Sequence, residues 1–509
     1  MITGSEGRSA ALSPLRRPPD EGRLRRMRAF FERPRGEAPN TSLTLEGTPP
    51  VRKTKSQTMN DPKTDTDTEA AARWAVARAR ALGADQAAAE VSADRGLAVA
   101  VREGETESVE YTDERVMTVS VWCRAAGGMR RGAASTSDLS EAAMERTVRA
   151  AVEIARCAAP DPAAGLPDEE TLQTDFRDLD LWHPFEGGVA GAVELARRAE
   201  AAAFDAEHRI VTTEGARFQT SEGGFTLANS WGFSAGYRYA RHELSLSPIA
   251  QDASGMERED DWTEARRVED LLSPERLGAR AAARAAARLG AQSLANGDVR
   301  VLFEARTATG LLDILEELLS GRALYRKASC LLGREGSFIF PRHVNVEEDP
   351  YLPASIGSGL FDNEGCAGTR RLVVEEGRLA GAFLTSYSAR RLGRRTTGNA
   401  GGAYNLRLTS AEPRASDTFD VMLARLGTGL LVTEVFGHGV NPVTGDYSRG
   451  ASGFWVENGR LAYPVAGVTL AGNLLDMMAS VEAVGADEHP EGARRTGSLL
   501  LPKMTVAGG

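Results

Sequence analysis

The chain has 509 residues, of which 42% are hydrophobic and 6% aromatic, and its formal net charge at pH 7 is −10. The composition is typical of a folded globular protein, and the length favours two or three domains. No stretch approaches the roughly 20 uninterrupted apolar residues of a membrane helix, so we expect no membrane-spanning segment. The acidic balance disfavours binding to nucleic acid, because it repels a phosphate backbone.

Charge is distributed unevenly along the sequence. Residues 1–58 carry 12 basic and six acidic side chains, a net charge of +6, which leaves −16 for the remainder. The segment is rich in proline and lacks the apolar core of a secretory signal. We therefore expect residues 1–66 to be a disordered basic tail of a cytoplasmic protein, with Met59 as a possible true start. Its arginines could alternatively contact nucleic acid or membrane.

The first folded unit is predicted at residues 67–160 and mixes helix with strand. A helical pattern at about 69–82 precedes strand-like alternation between 97 and 123. A second helix is predicted at about 141–157, and the Pro/Asp/Gly-rich sequence after it indicates a linker.

A second α+β unit is predicted at residues 161–295. Two helical patterns, at about 189–204 and 274–289, flank β-prone sequence at 210–239. The alternation extends through His242, which we expect to be a structural strand residue rather than part of a helical zinc motif. Ser230 lacks the glycine and the following helix of a nucleophile elbow, so we expect it to be a hydrogen-bonding strand residue.

The remaining residues, 296–509, are predicted to form a β-rich domain. It contains one clear helix at about 307–319 and two hairpin turns, at Glu376-Gly377 and at Asn458-Gly459. The fold class is therefore α+β, with N-terminal α+β domains followed by a β-rich C-terminal domain.

Cysteines and glycine-rich loops do not indicate a redox or nucleotide site. The four cysteines lie far apart and lack C-x-x-C spacing, which favours reduced thiols; they are Cys123, Cys157, Cys330 and Cys366. The G-x-G segments at 427–429 and 437–439 lack a third glycine and a phosphate-binding lysine.

One long stretch, Gly429 to Gly459, reads GLLVTEVFGHGVNPVTGDYSRGASGFWVENG. Together with shorter segments at 323–329, 387–390, 396–402 and 471–474, it resembles the PmbA/TldE side of the TldD/PmbA family, once called modulators of DNA gyrase. The resemblance covers roughly residues 67–509. It implies a subunit that pairs with a TldD-like protease subunit, as a heterodimer or higher assembly, to degrade or trim unfolded peptides in the cytosol.

The resemblance also implies which metal ligands to look for. TldD-type members carry His-Glu-x-x-x-His on a helix, where two imidazoles bind zinc and the glutamate acts as general base. Gapless alignment places these roles on Asp313, Ile314 and Leu318, of which only Asp313 could serve as a weak ligand. No cysteine follows Cys366 to supply a third ligand. We therefore expect no catalytic residue and no metal in this chain, with zinc held by the TldD-like partner.

The same helix can be interpreted from its periodicity alone. Leu311, Ile314, Leu315 and Leu318 recur at i, i+3, i+4 and i+7, which predicts a stripe facing the core. Glu316 and Glu317 are then expected on the solvated face.

Peptide or partner recognition is the remaining chemistry. The Gly/Asn-rich segments 396–402 and 436–450 could let another backbone approach closely, or could be simple tight turns. Asp446 and Arg449, in the second segment, are expected to form a local ion pair. The candidate binding residues are Tyr325, Arg326, Thr397, Asn399, Gly401, His438 and Asn441.

Two other functions stay open at this point. The chain could be an autonomous metallopeptidase that uses Asp313 with unrecognised ligands. It could instead regulate DNA gyrase, an interpretation that rests on the older family name and the basic tail.

Overall fold

The computed structural model describes residues 63–411 and 417–508. These described residues form one compact unit. Met59 and most of the expected basic tail lie outside the described residues, whereas 63–66 belong to the first helix. Among the described residues, no helix combines the length and apolarity needed to cross a bilayer.

An antiparallel sheet of seven strands dominates the first half of the described chain. Its order is β3-β2-β1-β4-β5-β6, and β7 pairs with β5. Strands from both predicted N-terminal units therefore share one sheet. The strands are β1 (Gln86–Arg102), β2 (Glu105–Ala125), β3 (Gly128–Thr136), β4 (Ile210–Asn229), β5 (Ser234–Asp252), β6 (Gly255–Arg258) and β7 (Asp261–Ala265).

Four helices pack on one face of this sheet through small side chains. They are α1 (Lys63–Ala81), α2 (Glu141–Cys157), α3 (Gly188–Ala206) and α4 (Pro274–Ala287). Alanines make up most of their buried positions, which lets the helices approach closely. At Gly132 in β3, an added Cβ would lie 2.0 Å from the Ala151 carbonyl oxygen of α2, so only glycine fits there.

Two further sheets form the second half. A six-stranded sheet has the order β15-β14-β13-β8-β18-β16, and a five-stranded sheet has the order β11-β10-β9-β12-β17. Their strands are β8 (Gly297–Phe303), β9 (Val344–Asp349), β10 (Arg371–Glu375), β11 (Arg378–Leu379), β12 (Asn405–Ser410), β13 (Gly429–Phe436), β14 (Asp446–Glu457), β15 (Arg460–Asn473), β16 (Ala483–Val484), β17 (Arg494–Arg495) and β18 (Leu499–Gly508).

Helix α5 (Ala305–Leu319) packs into the core that these two sheets share. Shorter helices complete this half: α6 (Gly321–Tyr325), α7 (Ser386–Arg391), α8 (Phe419–Leu426) and α9 (Leu474–Ala479). The predicted α+β class with a strand-rich C-terminal part is thus confirmed.

Local signals in the sequence located several elements well. The helix predicted at 141–157 has those limits. Both hairpin turns are present, and the Asn458-Gly459 turn has φ values of 53° and 74°, as a type I′ turn requires.

The predicted stripe on α5 is rotated by about one residue. Leu312, Leu315 and Leu319 are almost fully buried together with Leu318, whereas Leu311 and Ile314 are only partly buried. Leucine occupies both 311 and 312, so periodicity permits two overlapping stripes, and only contacts with the sheets decide between them.

Replacing Leu315 by alanine should destabilise the chain by about 3 kcal/mol, because the side chain is 1% exposed and its removal leaves a cavity. Urea unfolding measures the change. The matched control on the same helix, Glu317→Ala, is exposed and should stay within about 0.5 kcal/mol of the parent. Equal effects of the two substitutions would contradict this placement of α5.

Candidate functional site

The three positions aligned with metal ligands point in different directions from α5. The Asp313 side chain is 64% exposed, Ile314 is partly buried, and Leu318 is 1% exposed within the core. Asp313 is exposed whereas Leu318 is buried in the core, so these two side chains do not face a common point in this chain. The group offers a single carboxylate.

A guanidinium lies against that carboxylate. Arg494 in β17 has its Nε 3.3 Å from Asp313 Oδ1 and also forms an ion pair with Glu316. It donates a further hydrogen bond to the Tyr404 carbonyl oxygen at 2.7 Å. Arg494 therefore joins α5 to the end of the five-stranded sheet.

Glu316 corrects the expectation that both glutamates face solvent. Its side chain is 20% exposed, and Oε1 accepts a hydrogen bond from Ala403 N at 2.7 Å. Glu317 is exposed, as expected. Two carboxylates on α5 thus hold Arg494, and one of them also anchors the glycine-rich turn before Ala403.

That turn, residues 396–402, contains three of the candidate binding residues. Asn399 is buried, and its Nδ2 donates to Glu348 Oε1 at 2.7 Å. The Thr397 hydroxyl donates to Asn399 Oδ1 at 2.7 Å and accepts from Leu384 N at the same distance. Both side chains hold the turn in place, whereas Gly401 is exposed.

Gly401 lines a cavity of about 700 Å³ that lies beside the turn. One wall is the face of the seven-stranded sheet that carries no helices, and the other walls are the connection 158–167 and the C-terminal half. The lining residues are Ala88, Glu90, Thr118, Ser120, Trp122, Met129, Arg131, Ala158, Ala159, Asp161, Ala164, Gly165, Leu166, Pro167, Leu227, Asn363, Glu364, Thr385, Tyr387, Ala400 and Gly401. The size and mixed lining are those of a small-ligand or peptide pocket.

Tyr325 lies next to this cavity through Tyr387. The two rings meet edge to face with centroids 5.8 Å apart. Arg326 and Arg391 lie 5.9 and 5.7 Å from the Tyr325 ring, within the range of cation–π attraction. The sequence analysis did not name Tyr387 as a binding residue, because it lies in the segment 387–390 that was noted only for the family resemblance. Its hydroxyl donates a hydrogen bond to Asp161, another residue that lines the cavity.

The other two candidates, His438 and Asn441, lie in the connection between β13 and β14. Both are exposed, and neither lines the cavity. Asn441 Oδ1 accepts hydrogen bonds from Val443 N and Thr444 N, which shapes the connection. The structure thus divides the candidate binding residues between two places.

The expected pairing of Asp446 with Arg449 is wrong. Asp446 accepts from the Thr444 hydroxyl at 2.6 Å, whereas Arg449 donates to the Val435 carbonyl oxygen at 3.5 Å. The two residues lie three apart on β14, so their side chains leave opposite faces of the strand.

His242 and Ser230 have structural roles, as the sequence predicts, although Ser230 lies in a turn rather than in a strand. His242 is fully buried in β5, where its ring contacts the Thr220 hydroxyl at 2.9 Å and the His183 carbonyl oxygen at 2.8 Å. Ser230 is a hydrogen-bonding residue, but in the turn after β4 rather than in a strand; its hydroxyl accepts from Ala87 N at 3.1 Å.

An acidic turn, residues 362–366, lies against the cavity, and Glu364 in this turn is one of the lining residues. A carboxylate oxygen of Asp362, a carboxylate oxygen of Glu364 and the Cys366 Sγ, which are atoms of the kinds that bind metal ions, lie within 4.8 Å of one another. Asp362 accepts backbone hydrogen bonds from Glu364, Cys366 and Ala400, at 2.8 to 2.9 Å. Burial and the Glu364 charge raise the pKa of Asp362 to about 7.

The thiol in this turn, Cys366, stays protonated at neutral pH. Burial and the Asp362 carboxylate raise the pKa of Cys366 to about 12, so the thiolate is scarcely populated. All four cysteines are free, in agreement with the expectation of reduced thiols.

Sequence reasoning missed Glu90, Trp122 and Arg494. Glu90 carried a usable signal, because it is the one charged residue between Ala87 and Val91 in a strand of small apolar residues. Arg494 carried none, since its partner Glu316 precedes it by 178 residues and Asp313 lies still earlier.

Comparison with known proteins adds three matches to family models. The first domain of the PmbA/TldA metallopeptidases matches residues 87–155, the central domain matches 182–289 and the C-terminal domain matches 296–508. In sequence, metalloprotease PmbA of Escherichia coli O157:H7 is 43% identical over 424 residues, covering 83% of this chain and 92% of that protein. The Haemophilus influenzae homologue is 41% identical over the same shares.

Solved structures show the same fold. A Bacteroides thetaiotaomicron protein described as a candidate modulator of DNA gyrase has a TM-score of 0.80 at 24% identity, over 89% of this chain and all of that one. TldE from Thermococcus kodakarensis has a TM-score of 0.74 at 18% identity, over 87% of this chain and all of that one.

Replacing Arg494 by methionine should destabilise the chain by about 2 kcal/mol, because Glu316 loses its partner while largely buried. Urea unfolding measures the change. The neighbouring Arg495→Met is the matched control and should have an effect within about 0.5 kcal/mol. Adding Glu316→Gln to Arg494→Met should recover part of the loss, and simple additivity of the two substitutions would contradict the coupling.

Asp362 should make stability depend on pH between about 4 and 7. The folded chain holds a proton there that an unfolded aspartate, with a pKa near 3.8, has released, so its favourable contribution is complete below pH 4 and lost as pH rises through 7. Relative to Asp362→Asn, the parent should lose about 2 to 4 kcal/mol over this interval. Asp362→Asn also alters the hydrogen bond that Ala400 N donates to this side chain, which shifts the free energy of unfolding by the same amount at every pH. Urea unfolding of both proteins at a series of pH values tests this, and a flat difference curve would refute it.

Proposed function

The chain belongs to the TldD/PmbA family of metallopeptidases, and from this premise we propose that it is a PmbA/TldE-type subunit without a catalytic site of its own. In this proposal it pairs with a TldD-like subunit that carries the zinc ion. The pair acts in the cytosol on unfolded peptides, which it degrades or matures, and this chain supplies binding surface.

One observation carries the proposal: the Arg494 guanidinium lies 3.3 Å from Asp313, the single carboxylate at the aligned ligand positions. A catalytic zinc site normally uses three protein ligands and one open position. Ile314 and Leu318 have no donor atoms, and a fixed positive charge beside Asp313 repels a divalent cation. These side chains therefore do not fit zinc, and no step of peptide hydrolysis is assigned to them.

The relatives support the assignment to the PmbA/TldE side. The sequence relatives with the greatest identities reported above are named for PmbA, and a TldE structure shares the fold. Because those relatives are also named metalloproteases, an autonomous peptidase is the second candidate. The Bacteroides protein is described as a modulator of DNA gyrase, but it is only 24% identical to this chain. The similarity therefore shows the fold alone and does not support a gyrase function here.

Metal analysis and peptide hydrolysis separate the two candidates. The purified chain should contain no stoichiometric zinc and should not hydrolyse unstructured peptides. After reconstitution with a TldD-like partner, zinc-dependent hydrolysis should appear. The partner with its first zinc-binding histidine replaced by alanine is the control, and it should assemble without activity.

Asp313 provides a matched test within this chain. Asp313→Asn should leave both the zinc content and the hydrolytic rate of the reconstituted complex unchanged, because the side chain has no metal to hold. Stoichiometric metal in the isolated chain that Asp313→Asn removes, together with hydrolysis in the absence of a partner, would establish the autonomous peptidase instead.

A further inference from the structure

Glu90 differs from the other acidic residues that line the 700 Å³ cavity. Glu364 accepts a hydrogen bond from Ser386 N at 2.8 Å. Asp161 accepts one from the Tyr387 hydroxyl and one from Ala163 N, both at 2.8 Å. Within the described part of the chain, Glu90 is the carboxylate of this lining that has no hydrogen bond or ion pair.

The position of Glu90 in the sheet explains its isolation. It lies opposite Thr118 of β2 and Leu227 of β4, so its nearest neighbours on the strands offer one hydroxyl and one apolar side chain. Burial raises its pKa, because the walls remove water without supplying a compensating charge. A partly buried carboxylate without a partner costs free energy that a bound cation would recover.

The cation that lines the cavity does not neutralise Glu90. Arg131 pairs with Trp122 in the sheet, and among the described residues it forms no ion pair with Glu90. Its guanidinium donates to the Ser120 hydroxyl at 3.3 Å and lies 6.0 Å from the Trp122 ring. The guanidinium of Arg131 is therefore held by side chains of the sheet rather than by Glu90.

The surroundings of Glu90 favour an organic cation over a metal ion. Calcium and magnesium need six or more oxygen ligands in a close shell, whereas Glu90 is flanked by Ala88 and Leu227. An alkylammonium group needs a carboxylate and an apolar wall for its methylene groups. Leu227 lies directly opposite Glu90 on β4 and supplies apolar surface of this kind.

We propose that Glu90 binds an alkylammonium group of a peptide in this cavity, either the free α-amino terminus or a lysine side chain. The proposal rests on the proposed function, since it assumes that peptides are the natural ligands. It adds a residue that selects among them by charge. The volume of about 700 Å³ is within the range of ligand pockets and accommodates a short peptide segment.

Four pentapeptides with a C-terminal fluorescein test the proposal by anisotropy, with the isolated chain and with the reconstituted complex. Two lack lysine and have either a free or an acetylated amino terminus; two are acetylated and carry either a central lysine or its neutral isostere norleucine. A peptide that has no ammonium group should bind at least about tenfold more weakly than the matching peptide that has one. Loss on acetylation identifies the terminus as the ligand, and rescue by lysine identifies the side chain.

The variant Glu90→Gln should abolish the preference for ammonium while leaving binding of the acetylated, norleucine peptide unchanged. Glu107→Gln, the matched control, removes the same charge from an exposed position of β2 outside the cavity and should retain the preference. The comparison among peptides needs no substitution, so it remains decisive even where Glu90→Gln alters stability.

Equal affinity for peptides with and without ammonium, no binding by chain or complex, or an undiminished preference in Glu90→Gln overturns the proposal. Failure of the proposed function is distinguished by hydrolysis of the acetylated, norleucine peptide, which Glu90 does not influence. If the complex hydrolyses that peptide without any preference for ammonium, only the Glu90 proposal fails. If the chain selects ammonium but no partner confers zinc-dependent hydrolysis, only the proposed function fails.

Discussion

The contacts of Arg494 join helix α5 to the five-stranded sheet in the second half of this protein. Its guanidinium holds Asp313 and Glu316 on α5 and the carbonyl oxygen of Tyr404 on the neighbouring chain segment. Helix α5 is therefore fixed to the five-stranded sheet through an ion-pair network. Glu316 extends the network to Ala403, so the glycine-rich turn beside the cavity depends on the same cation.

The glycine-rich turn 396–402 lies between the ion-pair network of Arg494 and the cavity. On its inner side, Asn399 is bonded to Glu348, and on its outer side, Gly401 faces the cavity. A chain segment without side-chain bulk at this point leaves room beside the sheet. The cavity is consequently bounded by a long, regular sheet on one side and by irregular loops on the other, an arrangement common in ligand-binding proteins.

The sequence was most informative where structure depends on nearby residues. The helix at 141–157 and the Asn458-Gly459 turn depend on residues within a few positions, and both were predicted correctly. The stripe on α5 was misplaced because Leu311 and Leu312 satisfy similar periodicity. The site itself was largely out of reach. Glu90 and Gly401 are brought to one cavity by the tertiary fold, and a single sequence contains no local signal for such a meeting.

The large sheet also limits how this molecule can be divided. Strands β1 and β4, which the family models assign to two domains, pair without interruption from Ala88 opposite Asn229 to Val101 opposite Ala216. A fragment ending near residue 160 would therefore expose the whole hydrogen-bonding edge of β1, a template for aggregation. The two domains therefore share one continuous sheet, and a wall of the cavity is built from strands of both.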